Sequence, residues 1–354
     1  MSLVALLLTS TTFAGYGDAV DGLPTPAERE MHAWTNMVRV DPEAFISDYD
    51  CSFDGFKSEE KTPKRPFMWN LYLNQAANYH SGDMLDYDYF DHDSIDGTSW
   101  SSRIHRYYTP GTIGENIAWG YGDVYSAVIE GWMCSSGHRA NMMKDSYDEM
   151  GPGVAERYYT QDFGYGGVAT QPIAMGIHMP TNPQGEVELV ADFYAGGAEP
   201  TRFEAVIDGE AHGMELILGV PSQGAWWVKL PTDDDCHLYY FEAEVAAGQT
   251  ARFPTDGSYG WGDCDFDDPR AMWSDLQIEP GEDPTDEGTD DPGDPTSGGT
   301  DPTDLDLGAD NLDSAETDAA GCGCNHPAPF PIPLYFMPLL LVIRRNRSAP
   351  VAER

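Results

Sequence analysis

The chain has 354 residues, 60 of them acidic against 19 Lys and Arg, for a formal net charge of −41. A surface of that sign repels phosphate backbones, which excludes nucleic acid as a partner. Hydrophobic residues at 41% and aromatics at 12% suffice for about two packed domains, and the length leaves room for non-globular ends.

In chain order, residues 1–14 read as a secretory signal peptide. Leu3 to Leu8 is a short apolar core, and Thr12-Phe13-Ala14 supplies a small residue before Gly15. The next block, residues 25–197, mixes helical and strand periods. Thr25-Pro26-Ala27-Glu28 is a helix start, with an N-cap hydroxyl, Pro at the first helical position and a Glu able to close a capping box. Leu73, Ala76, Ala77, His80 and Met84 fall on one face of a 3.6-residue period and predict a helix over 69–86. Asp123 is the expected N-cap of a third helix, whose residues Val124, Ala127, Val128, Gly131 and Trp132 keep the same period. Val187 to Tyr194 reads as a strand, and the class is α+β.

Residues 199–270 carry strand signals without helical periodicity. Met214 to Val220, Ala225 to Leu230 and His237 to Val245 are parted by Pro, Gly and Asp clusters, and predict a small all-β sandwich domain. Residues 271–320 are a Pro, Thr, Gly and Asp tract that cannot bury a core. Fourteen acidic residues lie between 282 and 318, so a disordered, self-repelling linker is expected. Residues 321–347 close the chain with Gly321-Cys322-Gly323-Cys324, an apolar run from Pro329 to Ile343 and the cluster Arg344, Arg345 and Arg347. A short C-terminal hydrophobic helix of that length rises about 22 Å, less than a bilayer core, and its arginines favour the cytoplasmic side.

The cysteines divide by block. Cys236 and Cys264 pair within the β block, closing a loop worth about 3 kcal/mol in the chain-entropy model. Cys51 and Cys134 are the only two of the first block and can bridge if their Cα atoms come within reach. Cys322 and Cys324 stand in the tail as processing or modification sites. Pairing of this kind suits an exported protein.

Chemistry-bearing residues gather in three segments of the first block: Phe90-Asp91-His92 with Gly97 and Arg103, then Gly114-Glu115-Asn116-Ile117-Ala118, then Trp132 to Met142 with Ser135, His138 and Asn141. Two imidazoles and a carboxylate are what a divalent metal or a general base requires. Among nucleotide-binding, zinc-protease and serine-hydrolase fingerprints, none is present.

In this order and spacing the segments resemble the signature of the CAP superfamily (cysteine-rich secretory, antigen 5 and pathogenesis-related proteins), particularly its bacterial SCP branch. His80-Ser81-Gly82-Asp83-Met84, Asn36 with Arg39, and Tyr147 to Val154 match further parts of that pattern. The resemblance implies an α-β-α sandwich and a cleft of up to two His and two Glu. His92, Glu115 and His138 match three of these positions, and Ser135 stands where the second Glu would be. The implied function is an envelope-displayed binding module for a lipid, glycan or protein ligand. The alternative is a metal-dependent hydrolase with His92 and His138 on Zn²⁺ or a similar ion and Glu115 as base; loss of the Ser135 carboxylate speaks against an enzyme. The tail is similar to a myxobacterial-type C-terminal sorting signal, which implies cell-surface display and a membrane contact, with release after tail processing as a further outcome.

Overall fold

The computed structural model describes residues 15–46, 55–109, 111–182, 185–246 and 248–264. The expected signal peptide, acidic linker, tail cysteines and terminal helix lie outside these residues, as does Cys51.

Helix α1 (Pro26–Val40) begins where expected. The Thr25 hydroxyl accepts the Glu28 amide at 3.3 Å, and the Glu28 carboxylate accepts the Thr25 amide at 2.7 Å, so two otherwise orphaned N–H groups are satisfied reciprocally. A short helix α2 (Pro42–Ile46) follows. Strand β1 (Met68–Trp69) leads into α3 (Leu71–Tyr87), which starts two residues later than predicted because Asn70 caps it, accepting the amides of Tyr72 and Leu73. The predicted face of α3 is the buried one: Leu73, Ala76, Ala77, His80 and Met84 are all fully buried. Next come α4 (Trp100–Tyr107), β2 (Gly114–Trp119) and α5 (Val124–Ser126). Asp123 caps α5 through the Ser126 amide at 2.7 Å.

The third predicted helix departs from its expected period. After α5 the chain winds as a π-helix over Ala127–Met133. Ala127, Val128, Ile129, Trp132 and Met133 are all buried. At α-helical pitch they would spread around most of the circumference, whereas the wider π winding draws them onto one side. Helix α6 (Ser136–Met142) then precedes β3 (Glu149–Ala155) and β4 (Tyr158–Gly164).

These elements form layers around a four-stranded sheet of order β1-β3-β4-β2, parallel between β1 and β3 and antiparallel elsewhere. On one face α1 and the 124–133 segment share a core with Met150, Tyr159 and Phe163. The other face carries α3, which lies directly on β3. An added Cβ at Gly151 would come 1.9 Å from the Asn74 nitrogen, and one at Gly153 would come 2.2 Å from the Ala77 carbonyl carbon. Only glycine allows that approach of helix backbone to strand backbone.

The remaining strands are β5 (Ile173–Asn182), β6 (Glu186–Tyr194), β7 (Arg202–Ile207), β8 (Glu210–Gly213), β9 (Glu215–Val220), β10 (Gln223–Pro231), β11 (His237–Ala246), β12 (Gln249–Phe253) and β13 (Tyr259–Trp261). They build two sheets, β5-β6-β10-β9 and β12-β11-β7-β8, with β13 on β11. Strand β6 pairs with β10 from Tyr194↔Gln223 to Glu186↔Pro231. The two blocks expected to part near residue 198 therefore share a sheet, and the sandwich draws two strands from before that point. Its core holds Phe193, Phe203, Tyr239, Phe241 and Tyr259 from both sheets. Cys236 and Cys264 form a disulfide, as expected. Cys134 is also disulfide-bonded.

Helix α1 belongs to both parts. Arg29 is fully buried, donates from Nη1 to the Tyr239 hydroxyl at 3.1 Å, and lies 3.8 Å over the Tyr259 ring. A guanidinium can be buried this way because the aromatic faces supply negative potential.

Candidate functional site

The candidate site is built on β2, an edge strand of the first sheet, whose alternation sends successive side chains into opposite layers. Glu115 points towards α3 and α4, and Asn116 towards α1 and α6. Asn116 Nδ2 donates to the Gln161 side chain and to the His138 carbonyl, both at 3.1 Å, and Gln161 in turn donates to Thr35 of α1 at 2.8 Å. Asn141 of α6 donates to the Glu115 carbonyl at 3.2 Å and to the Asn116 side chain at 3.0 Å. The two helical layers are thus pinned to one strand by amides that have no charge to desolvate.

On the other side of β2 the Glu115 carboxylate is held by two partners. His92 meets Oε1 through Nδ1 at 2.8 Å, and Arg103 donates to Oε2 through Nη2. Arg103 comes from α4 and is fully buried, also holding the His92 carbonyl at 2.8 Å and the Ser94 hydroxyl at 3.3 Å. The Glu115 side chain is 1% exposed and that of His92 48%. Burial alone would raise the Glu115 carboxyl; the His92 hydrogen bond and the Arg103 charge outweigh it and hold the group below its ordinary range. The Glu115–Arg103 pair is therefore a fixed charge pair, with His92 as its solvent-facing end.

Directly across the strand pair from Glu115 is Asp162, a fully buried residue that the sequence reading did not single out. Burial, then the nearby Glu115 carboxylate, raise its carboxyl well above the ordinary range, so Asp162 is the protonated member of the two. His80 of α3 closes this layer, with Nε2 3.0 Å from the Asp91 carbonyl. Burial lowers it to about 4, which makes it a neutral ring at physiological pH.

The four expected cleft residues are not all brought to one surface. A cavity of about 320 Å³ is lined by His92, Trp100, Ile113, Gly114, Glu115, Asn141 and Tyr147. Ser135 and His138 are off that lining. Ser135 is half-buried at the start of α6, and its side chain makes no capping bond there. His138 is half-buried, held below its ordinary value first by burial and then by the charge of nearby His92. Among the described residues, no group of three or more His, Cys, Asp or Glu side chains is arranged to hold a metal ion.

Trp100 is the lining residue whose importance only the geometry reveals; Arg103, Asn141 and Tyr147 stand in the sequence motifs, and the geometry supplies their partners. Tyr147 donates to the Ile113 carbonyl at 3.0 Å, and a Cβ on Gly114 would fall 2.3 Å from the Tyr147 hydroxyl. Gly114 is thus the residue that lets the cavity wall close. Acidic residues of the 91–96 loop serve the loop itself: Asp93 accepts the Trp100 amide at the start of α4 at 2.9 Å, where Ser99 is the N-cap, and Asp91 accepts the Asp93 amide at 3.0 Å.

Comparison with known proteins places this geometry. Residues 34–170 match the family described as CAP, Cysteine-rich secretory protein family. The chain is 38% identical over 142 residues to the uncharacterized membrane protein YlbC of Bacillus subtilis (strain 168), covering 40% of this chain and 35% of that one. It is 33% identical over 107 residues to the uncharacterized protein YkwD of the same organism, covering 29% of this chain and 41% of that one. The chain therefore spans well under half the length of these curated relatives. Among solved structures, an extracellular SCP-domain protein of Bacillus anthracis str. Ames is similar at 35% identity over 28% of this chain and 34% of that one, with a TM-score of 0.27. A cysteine-rich secretory protein of Staphylococcus aureus subsp. aureus Mu50 gives 22% identity over 40% and 39%, with a TM-score of 0.28. The likeness to the CAP family therefore lies in residues 34–170, the stretch that holds α3, α4, β2, α6 and the His92–Glu115–Arg103 cluster.

Proposed function

We propose that this chain is an exported, envelope-displayed binding protein whose CAP domain takes a lipid, glycan or protein ligand in the cavity beside His92. The observation that carries this reading is the state of Glu115. Each carboxylate oxygen has a partner, His92 on one and a fully buried Arg103 on the other, and the carboxyl is held below its ordinary range, which makes it a weak base for a substrate proton. What faces the cavity is an amphipathic wall of Trp100, Ile113 and Tyr147 with the polar groups of His92 and Asn141. Such a mixture of apolar surface and few convergent polar groups suits recognition. The hydrolase reading requires a metal-donor set and a free base, and neither is favoured by this arrangement.

Export is supported by the apolar leader and by the Cys236–Cys264 disulfide, which persists in an oxidising compartment. Display, a membrane contact and processing at Cys322 or Cys324 rest on the sequence of residues 321–347. No helix among the described residues is long and apolar enough to cross a membrane.

Native mass spectrometry and calorimetric titration of the full chain against lipid and glycan panels test the reading. The expected result is saturable binding that Trp100→Ala abolishes and that chelation of metals leaves intact. Hydrolytic turnover lost specifically in Glu115→Gln would refute it.

A further inference from the structure

A second cavity lies far from β2 in the chain, lined by residues of both sheets of the β sandwich. It measures about 350 Å³. Its floor is aliphatic: Val187 and Leu230 are register partners on β6 and β10, and Ile207 faces them from β7. Its wall is His237, whose ring is fixed on three sides. Nδ1 meets Asp208 Oδ2 at 2.7 Å, Nε2 meets Asp233 Oδ1 at 2.9 Å, and the ring stacks on Trp261 at 5.0 Å. With a carboxylate oxygen on each ring nitrogen, both nitrogens carry hydrogen and the ring is an imidazolium. The disulfide next to it, Cys236–Cys264, stiffens the same corner. At the mouth stands Glu210 of β8, exposed, whose side chain makes no hydrogen bond or ion pair among the described residues. The cavity is therefore preformed, greasy at its base and net negative at its rim: Asp208 and Glu210 line it beside the His237 imidazolium and His212, and Asp233 bonds the His237 ring.

Those properties select a ligand class. An anion is opposed by the rim. A sugar ring stacks on an open aromatic face, but Trp261 is 5% exposed and already covered by His237. An alkyl chain ending in a cation satisfies both zones, since its stem removes aliphatic surface from water and its charge meets Glu210. We propose that this cavity binds an alkylammonium group, either the side chain of a lysine on a partner or a free aliphatic amine. The stem lies on Val187, Ile207 and Leu230, and the ammonium is held at Glu210.

The test follows the NMR signals of the Trp261 indole N–H and the His237 ring in the full chain while hexylamine is added, with hexanol and hexanoate as stem-matched controls. Hexylamine is expected to shift these signals saturably and to bind at least about tenfold more tightly than either control. Glu210→Gln, a substitution at an exposed position, is expected to weaken hexylamine about fivefold or more. Nα-acetyl-lysine methylamide and 1,5-diaminopentane then separate the two sources: the tighter binder identifies which one the cavity is shaped for. Equal binding of hexanol, an unchanged affinity in Glu210→Gln, or no saturable shift with any amine each overturns the proposal. The reporters lie in the sandwich, so the outcome is independent of the cavity beside His92.

Discussion

Replacing Arg103 by Met isolates the electrostatic core of the CAP site. The guanidinium is 0% exposed and the Glu115 side chain 1% exposed, so solvent cannot screen the carboxylate once its partner is gone. Met retains most of the volume and removes the charge, leaving Glu115 bonded to the half-exposed His92. Breaking a buried pair from one side costs about 3–5 kcal/mol. At roughly 2–4 °C per kcal/mol for a domain of this size, the midpoint falls by roughly 6–20 °C. Glu115→Leu alone strands the guanidinium and is expected to cost a similar amount. The double variant Arg103→Met, Glu115→Leu removes both charges together and should lose much less than the sum, with a coupling of at least about 1–2 kcal/mol. Differential scanning calorimetry of the four proteins measures the cycle. A single-variant loss below about 1 kcal/mol, or a strictly additive double variant, shows that the pair is not the buried, mutually dependent unit described here.

Four further outcomes follow from the same structure. Burial raises the Asp192 carboxyl well above its ordinary 3.8, so the folded state holds a proton that the unfolded state releases, and stability falls as pH rises between the two values. Asp192→Asn should flatten that slope and be more stable than the parent at pH 7, read from urea midpoints at a series of pH values. Burial opposes the charged form of His237, but its hydrogen bonds to Asp208 and Asp233 outweigh it and raise the group above 6.5. Its clamp is therefore complete below about pH 6.5 and is lost as pH rises through the raised value; NMR titration should show Asp233→Asn moving that value down. Gly151→Ala forces a methyl to 1.9 Å from the Asn74 backbone, so little folded protein is expected by circular dichroism, whereas the open-space change Gly82→Ala should be tolerated. Loss of the Cys236–Cys264 bridge, with 28 residues of separation, should cost about 3–4 kcal/mol in the chain-entropy model, checked by denaturation of the double Ser variant.

The helices were legible because their signals are local. Thr25 with Glu28, and the face from Leu73 to Met84, are complete within a few turns of chain. The site was legible only as far as it repeats a known order of residues, which picked out His92, Glu115 and His138. Asp162 was hidden because it meets Glu115 through the register of β2 on β4, 47 residues further along the chain. Arg103 was visible as a letter of the motif, but its role depends on α4 swinging it under the His92 loop. The π winding of 127–133 escaped because Val124, Ala127, Val128, Gly131 and Trp132 fit an α period, which leaves Ile129 and Met133 out. The shared sheet escaped for a related reason: β6 and β10 each read as ordinary strands, and alternation within a strand does not name its partner.

Arg29 gives the junction between the two parts a mechanical meaning. It springs from the first helix of the CAP segment, yet its charge is housed by Tyr239 and Tyr259 on the far side of the sandwich. A fragment cut after residue 170 would keep the arginine and lose its aromatic housing, and would uncover the hydrophobic flank of α1 where β5 and β10 now sit. The sandwich without the helix would in turn carry a hollow lined by phenolic rings. Neither half is complete without the other, so the molecule should melt in a single calorimetric transition.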